Sequence, residues 1–363
     1  MFAWNLYAKQ FSGFAVGARI RGHVIQDASR NDDVPRTLSE LPPLGRPLIA
    51  VFGSSQVDAV KDDPELSPRA FPFRMSETLA TLRPDHVVID LSGPGQQVVE
   101  ANAILLSSLE RLKPSLVVLT VGLVSMSTTD IRPALQSGLD RPQIEKEIDA
   151  VSDSMLPPST RTIALASVQP NGKSASDTTV QERTDAYLEQ RFRAATAMIA
   201  NRRAMYNALI DQPLRRDLVR LLQRRRGPLV TARTFDISDR YAVSLAAIET
   251  MGAVLANRGT PFVICVLPYE RSRTPPPYTP ETNARVARDL RDLSARHGFT
   301  VLDLSEALTT SDFGVYEDGS PDGLHFRANG HALVGAELAK TVSAILTTRP
   351  GIAPASTPVT NPR

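Results

Sequence analysis

An α/β fold in three layers, α/β/α, with a mainly parallel sheet is predicted by three observations. Short, mostly apolar runs recur along the chain and stop at glycine and serine. Stretches with helical spacing lie between them. The composition, 42% hydrophobic against 22% charged, is enough to bury a core. At 363 residues the chain has room for two domains or one large decorated one.

The elements follow in order. Residues 1–26 contain no acid, and a helix there would put Trp4, Tyr7, Phe11 and Phe14 on one face. Gly13 and Gly17 make it a poor free helix, so packing on its own domain is the reading preferred to an interfacial anchor. Residues 27–47 are polar and proline-bearing, a surface connection. Leu48 to Phe52, His86 to Asp90 and Leu116 to Val121 read as strands, with a helix over 97–112 that ends at Lys113-Pro114. Strand, helix, strand at this spacing describes βαβ units, whose functional residues lie beyond the carboxyl ends of the strands. Thr162 to Val168 is read as a further strand, and 180–226 as two helices broken near Gln212-Pro213. Pro261 to Leu267 is a buried strand, 281–297 an amphipathic helix capped by Gly298, Phe299 to Leu304 the last strand and 331–347 the last helix. The domain plan is an N-terminal segment 1–45, an α/β core made of 46–122 and 259–347, a helical insertion 123–258 and a disordered tail 348–363.

Composition excludes several classes. Lys+Arg 41 against Asp+Glu 39 leaves +2, so no basic excess argues for nucleic acid. One cysteine excludes an intrachain disulfide framework and a multi-cysteine zinc site, and no histidines stand at metal-ligand spacing, so no metal and no cofactor is expected. No apolar run of about 18 residues exists, so no transmembrane segment is predicted. The first residues lack a secretory pattern, which makes a cytoplasmic location the expectation. A peripheral membrane form, or an exported form without its leader, is the alternative.

Three loops carry chemistry when read together. Gly53-Ser54-Ser55 ends the first strand, where a serine can expose its hydroxyl and turn its own N–H toward an oxyanion. Asp322-Gly323-Leu324-His325 lies in a turn-rich stretch near the C-terminus and is read as a loop. A serine hydroxyl needs an imidazole to take its proton, and the imidazole needs a carboxylate to hold its tautomer; this spacing delivers both. Ser92-Gly93-Pro94-Gly95 follows the second strand, and glycine allows close approach of a backbone N–H to a substrate. His331 is read as a packing or capping residue of the last helix, and Cys265 as an inert core thiol.

The order of these loops resembles the SGNH/GDSL hydrolases. DGLHFRANGHALVGAEL is similar to that family's last block, VFGSSQV to its first and DLSGPGQ to its second. The resemblance implies Ser55 as nucleophile, Asp322 and His325 as its partners, and the N–H groups of Ser55 and Gly95 as the oxyanion hole. Ser54 stands where the family has an aspartate, a Gly-Ser-Ser version similar to the DltD-like and alginate-acetylation-like O-acyl transfer proteins. The third block departs: Val124 occupies the position of an asparagine donor, and Ser125 or a residue of the insertion is the candidate replacement. Ser54, Gly122 and Ser125 are candidate substrate contacts.

Over 183–226 eleven arginines and no lysine stand against four acids, closing at Arg224-Arg225-Arg226. One reading is a solvated helical face; the other is a lid offering guanidinium forks, with Arg224 and Arg225 as substrate contacts, to an anionic acyl donor or surface. The function expected is serine-dependent hydrolysis of O-acyl esters on a carbohydrate or small hydroxyl compound. An O-acyltransferase using the same residues, and a catalytically inactive binding or assembly protein, are the alternatives.

Overall fold

The computed structural model describes residues 24–26, 46–58, 70–93, 95–127, 131, 133–136, 139–168, 238–270, 279–315 and 321–348. The expectations placed on the aromatic N-terminus, the 27–45 connection, the 180–226 helices with Arg224 and Arg225 and the tail beyond 348 lie outside the described residues.

Six parallel strands form one sheet: β1 (Val24–Gln26), β2 (Leu48–Phe52), β3 (Val87–Asp90), β4 (Leu116–Val121), β5 (Phe262–Val266) and β6 (Thr300–Asp303). Their order is β1-β3-β2-β4-β5-β6. Every residue of β2 through β5 is buried, which is why these strands are near-continuous apolar runs, broken only by Asp90 and Thr120, rather than alternating ones. Alternation appears instead in which face each residue serves. Ile49, Val51, Val88, Val118 and Val263 pack on one side, and Ala50, Phe52, Ile89, Leu119 and Ile264 on the other.

The first side is covered by α2 (Phe71–Leu82) and the last helix, α9 (Ala328–Thr348), through Phe71, Met75, Leu79, Val334, Leu338 and Val342. The two helices meet closely because Gly335 lacks a side chain: a Cβ there would lie 2.7 Å from Arg74 Cβ and 2.8 Å from the Phe71 carbonyl oxygen. The other side is covered by α3 (Val98–Leu112), α7 (Ser238–Asn257) and α8 (Pro280–His297). The caps explain these helix ends. Glu100 accepts from the Gln97 N–H at the start of α3, and Lys113 ends it in the left-handed region at φ 43°. Thr279 caps α8 by accepting from the Thr282 N–H, and Gly298 closes it at φ 71°. The three-layer α/β/α architecture with a parallel sheet is therefore present.

Between β4 and β5 stand the short α4 (Pro133–Gln136), α5 (Arg141–Asp149) and α6 (Pro158–Val168). α6 corrects the strand expected over Thr162 to Val168. Its buried residues are Thr160, Ala164 and Val168, one every four positions, which is a helical stripe. α5 and α6 are tied to the layer helices by buried polar contacts. Glu147 accepts from Arg258 Nε at 2.7 Å, and Glu249 accepts from the Thr160 hydroxyl at 2.8 Å. The hydrogen bond from His297, with Thr160 and Arg296 adding to it, outweighs burial and holds the Glu249 carboxyl below its ordinary range. α7 falls in the last part of the expected insertion, yet its Ile248, Met251 and Leu255 are wholly buried under the sheet.

Two findings were absent from the sequence reading. β1 pairs with β3 at the edge of the sheet. A separate antiparallel ribbon, β7 (Phe313–Val315) with β8 (Pro321–Phe326), follows β6. No helix of the described residues is long and apolar enough to cross a membrane.

The sheet order places the candidate site. The connection leaving β2 runs to the α2 side, whereas those leaving its neighbours β3 and β4 run to the α3 side. Connections that part to opposite faces open a crevice at the strand ends between them, and Ser55 follows β2 at that point.

Candidate active site

Phe52 ends β2, Gly53 and Ser54 turn the chain, and Ser55 opens the one-turn helix α1 (Ser55–Asp58). Gly53 is required by crowding: a Cβ there would sit 2.0 Å from Thr120 Oγ1 and 2.4 Å from Val57 Cγ2. Thr120 uses that hydroxyl to donate to the Phe52 carbonyl at 3.1 Å, which pins the end of β2 to β4. Ser55 is half-buried, and its hydroxyl donates to His325 Nε2 at 2.9 Å.

The imidazole comes from β8. His325 Nδ1–H donates to Asp322 Oδ2 at 2.8 Å, and that bond selects the tautomer with a lone pair on Nε2 facing Ser55. The other oxygen of Asp322 accepts from the backbone N–H groups of Leu324 and His325, both at 3.0 Å. Asp322 is fully buried. Burial alone would raise its pKa. The hydrogen bond to His325, the imidazole charge and the two backbone N–H groups together outweigh that and hold the carboxyl well below the usual carboxylate range. The pair was expected on a loop; it stands on a strand. The spacing works in a strand because Asp322 folds back in an Asx turn onto its own backbone, which brings a side chain three residues away into reach.

The second loop is bound to the serine turn by two hydrogen bonds. Gly93 N–H donates to the Gly53 carbonyl at 3.0 Å, and Gly53 N–H donates to Gln96 Oε1 at 3.3 Å. Gly95 lies between those two anchors, at φ 68° and exposed. Its left-handed backbone explains why glycine stands there. Ser55, Asp322 and His325 are thus brought together, and the Gly95 loop is tied beside them.

The remaining candidates fall elsewhere or are otherwise engaged. Ser54 is buried, and its carbonyl accepts from the Val57 N–H within the turn. Gly122 precedes a 3-10 turn over Leu123–Met126. The Ser125 hydroxyl closes that turn, donating to the Gly122 carbonyl at 2.7 Å and accepting from its N–H at 3.3 Å. It is 2% exposed, with its hydroxyl engaged within that turn. Val124 is half-buried against the core. Cys265 is fully buried in β5, where desolvation pushes its thiol far above the ordinary range. His331 is buried and accepts from the Phe71 N–H through Nδ1 at 3.2 Å, a cap on the neighbouring helix. No group of three or more histidine, cysteine or acidic side chains suited to a metal occurs among the described residues.

Sequence reasoning missed two glutamines. Gln56 donates through Nε2 to the Leu324 carbonyl at 2.9 Å, and Gln96 receives the Gly53 N–H. Their positions beside Ser55 and Gly95 were the only available sign.

No family model and no curated protein matches the chain. Among solved structures it is similar to a lipase/acylhydrolase from Enterococcus faecalis, with 16% identity and TM-score 0.39 over 82% of this chain and 96% of that one. It is similar also to a catalytic mutant of an acetylxylan esterase from Geobacillus stearothermophilus, with 10% identity and TM-score 0.38 over 82% of this chain and 93% of that one. The three-layer α/β/α fold is of the kind that the SGNH/GDSL resemblance read in the sequence implies.

Proposed function

We propose that the protein is a serine-dependent acyl-ester hydrolase acting on O-acyl groups of a carbohydrate or another small hydroxyl compound. The observation that carries this reading is the unbroken line from Ser55 Oγ to His325 Nε2 at 2.9 Å and from His325 Nδ1 to Asp322 Oδ2 at 2.8 Å. Ser55 Oγ attacks the ester carbonyl while its proton passes to His325 Nε2, so the imidazole becomes imidazolium. The buried Asp322 carboxylate stabilises that charge and keeps Nδ1 protonated. Collapse of the tetrahedral adduct returns the proton from Nε2 to the leaving alkoxide oxygen and leaves an acyl-serine. Water, deprotonated by the same imidazole, then releases the carboxylic acid and restores Ser55.

Negative charge on the tetrahedral oxygen falls to backbone donors. The Ser55 N–H opens a helix, where the first amides have no intrahelical acceptor, and the Gly95 N–H is the second donor. A side-chain amide at position 124 would be a third; valine cannot donate, and one lost donor costs about a hundred- to a thousandfold in rate. The arginine-rich segment, with Arg224 and Arg225, belongs to the same proposal as a contact for an anionic acyl donor or surface. Transfer to a sugar hydroxyl in place of water uses the same residues and differs only in the acceptor.

The test is an active-site-directed fluorophosphonate together with a short-chain aryl ester. The parent is expected to label, and Ser55→Ala to lose the label and at least about a thousandfold in turnover. A parent that neither labels nor turns over the ester, or a Ser55→Ala protein that labels equally well, refutes the proposal. Mass analysis of mixtures of acyl donor and sugar acceptor separates hydrolysis from transfer.

A further inference from the structure

We propose that Gln56 is the positioning residue that sets the reach between Ser55 and His325. The inference rests on the ester chemistry proposed for that pair and deepens it. Ser55 and His325 stand 270 positions apart, so their 2.9 Å contact depends on what holds the β7–β8 ribbon against the serine turn. The Asp322–His325 bond cannot do this, because both residues belong to β8 and move with it.

Gln56 directly follows Ser55 and is 5% exposed. One N–H of its amide donates to the Leu324 carbonyl at 2.9 Å, and Nε2 also makes a longer contact of 3.4 Å with the Pro268 carbonyl. Leu324 precedes His325, so its carbonyl belongs to the peptide unit that carries the His325 backbone nitrogen. Because that unit is planar, holding the oxygen orients the backbone from which the imidazole projects. Pro268 lies just beyond β5, in a segment that itself binds β8 through the Glu270 N–H and the Gly323 carbonyl at 2.9 Å. A primary amide has two N–H donors, and here they join three separate segments: the serine turn, the end of β5 and the imidazole strand. Gln56 touches neither substrate nor the transferred proton. Its effect is on the distance over which that proton moves.

The test is Gln56→Met, which keeps length and apolar burial and removes both donors. The expected result is a fall in kcat on the aryl ester of about ten- to a hundredfold, the cost of an ångström-scale misplacement. KM should stay within about twofold of the parent. Fluorophosphonate labelling of Ser55 should slow in parallel. The downfield proton resonance of His325 Nδ1–H, which reports its bond to Asp322, should persist, since that bond is internal to β8. A Gln56→Met protein with kcat within about twofold of an active parent overturns the proposal and leaves the ester chemistry standing. Loss of the Nδ1–H resonance together with the rate also overturns it, because the change would then act on the pair itself. If Gln56→Met does not fold, Gln56→Asn, which keeps the amide but is one methylene too short, is read in the same way. A parent that neither labels nor turns over the ester removes the chemistry, and this inference with it.

Discussion

Asp322 shows how much one side chain is asked to do. It is fully buried, accepts two backbone N–H groups through one oxygen and orients the His325 imidazole through the other. In the proposed chemistry Asp322→Asn is expected to lower kcat by a factor on the order of 10³ to 10⁴, because an amide donor facing Nδ1 stabilises the tautomer that turns a proton toward Ser55. Ester kinetics on the folded variant check this; a loss under about tenfold would remove the carboxylate from its assigned role. The same residue makes a prediction about acid. Its folded pKa lies below the unfolded value of about 3.9, so the carboxylate contributes stability that is fully present above that pH. The contribution is lost as the pH falls through the folded value. Urea unfolding of parent and Asp322→Asn should therefore show the parent's advantage at pH 6 shrinking once the pH drops below about 4. An advantage that stays constant with pH would mean that the ionised carboxyl is not its source.

Among the elements, the β2–α1 turn makes the sharpest demand on sequence. Gly53 has no room for a methyl beside Thr120 and Val57. Gly53→Ala should cost about 1–3 kcal/mol, the usual penalty of overpacking, and displace Ser55. Denaturant unfolding with parallel ester kinetics checks both halves, and a parent-like variant in both would contradict the crowding. What could be read in advance at this scale follows from burial. β2, β3, β4 and β5 were legible because both faces are covered, so the apolar run itself announces the strand. β1, at three residues, is too short to carry a period. α6 was read as a strand because Thr162 to Val168 is apolar enough for either state, and only the stripe of Thr160, Ala164 and Val168 against α7 decides it. β8 looked like a loop because Asp322 and Gly323 are turn formers; its partner β7 decides otherwise. Ser55, Asp322 and His325 could be chosen from residue type and spacing. Gln56 could not, since a glutamine announces neither its burial nor the carbonyls it will meet.

At the scale of the whole molecule, the helices α2 and α9 join the beginning of the fold to its end. His331, near the start of α9, gives the Phe71 N–H at the start of α2 its acceptor, and its ring lies 6.0 Å from that of Phe71 and 5.4 Å from that of Phe326. His331→Leu leaves that amide without its acceptor in a wholly buried place. The expected cost is about 1–3 kcal/mol, read from the urea midpoint with an unchanged slope. A midpoint that does not move would show that the imidazole only fills space. The long span between alcohol and imidazole also bears on biosynthesis. A ribosome delivers the central strands and Ser55 first, and a nascent chain carried as far as α8 already owns its hydroxyl while still lacking His325, the imidazole that the folded protein sets against it. In the proposed chemistry such an intermediate is mute toward the esters around it. Under the proposed chemistry reactivity switches on only when β8 emerges and docks, so a polypeptide stalled before that strand would be inert rather than indiscriminate.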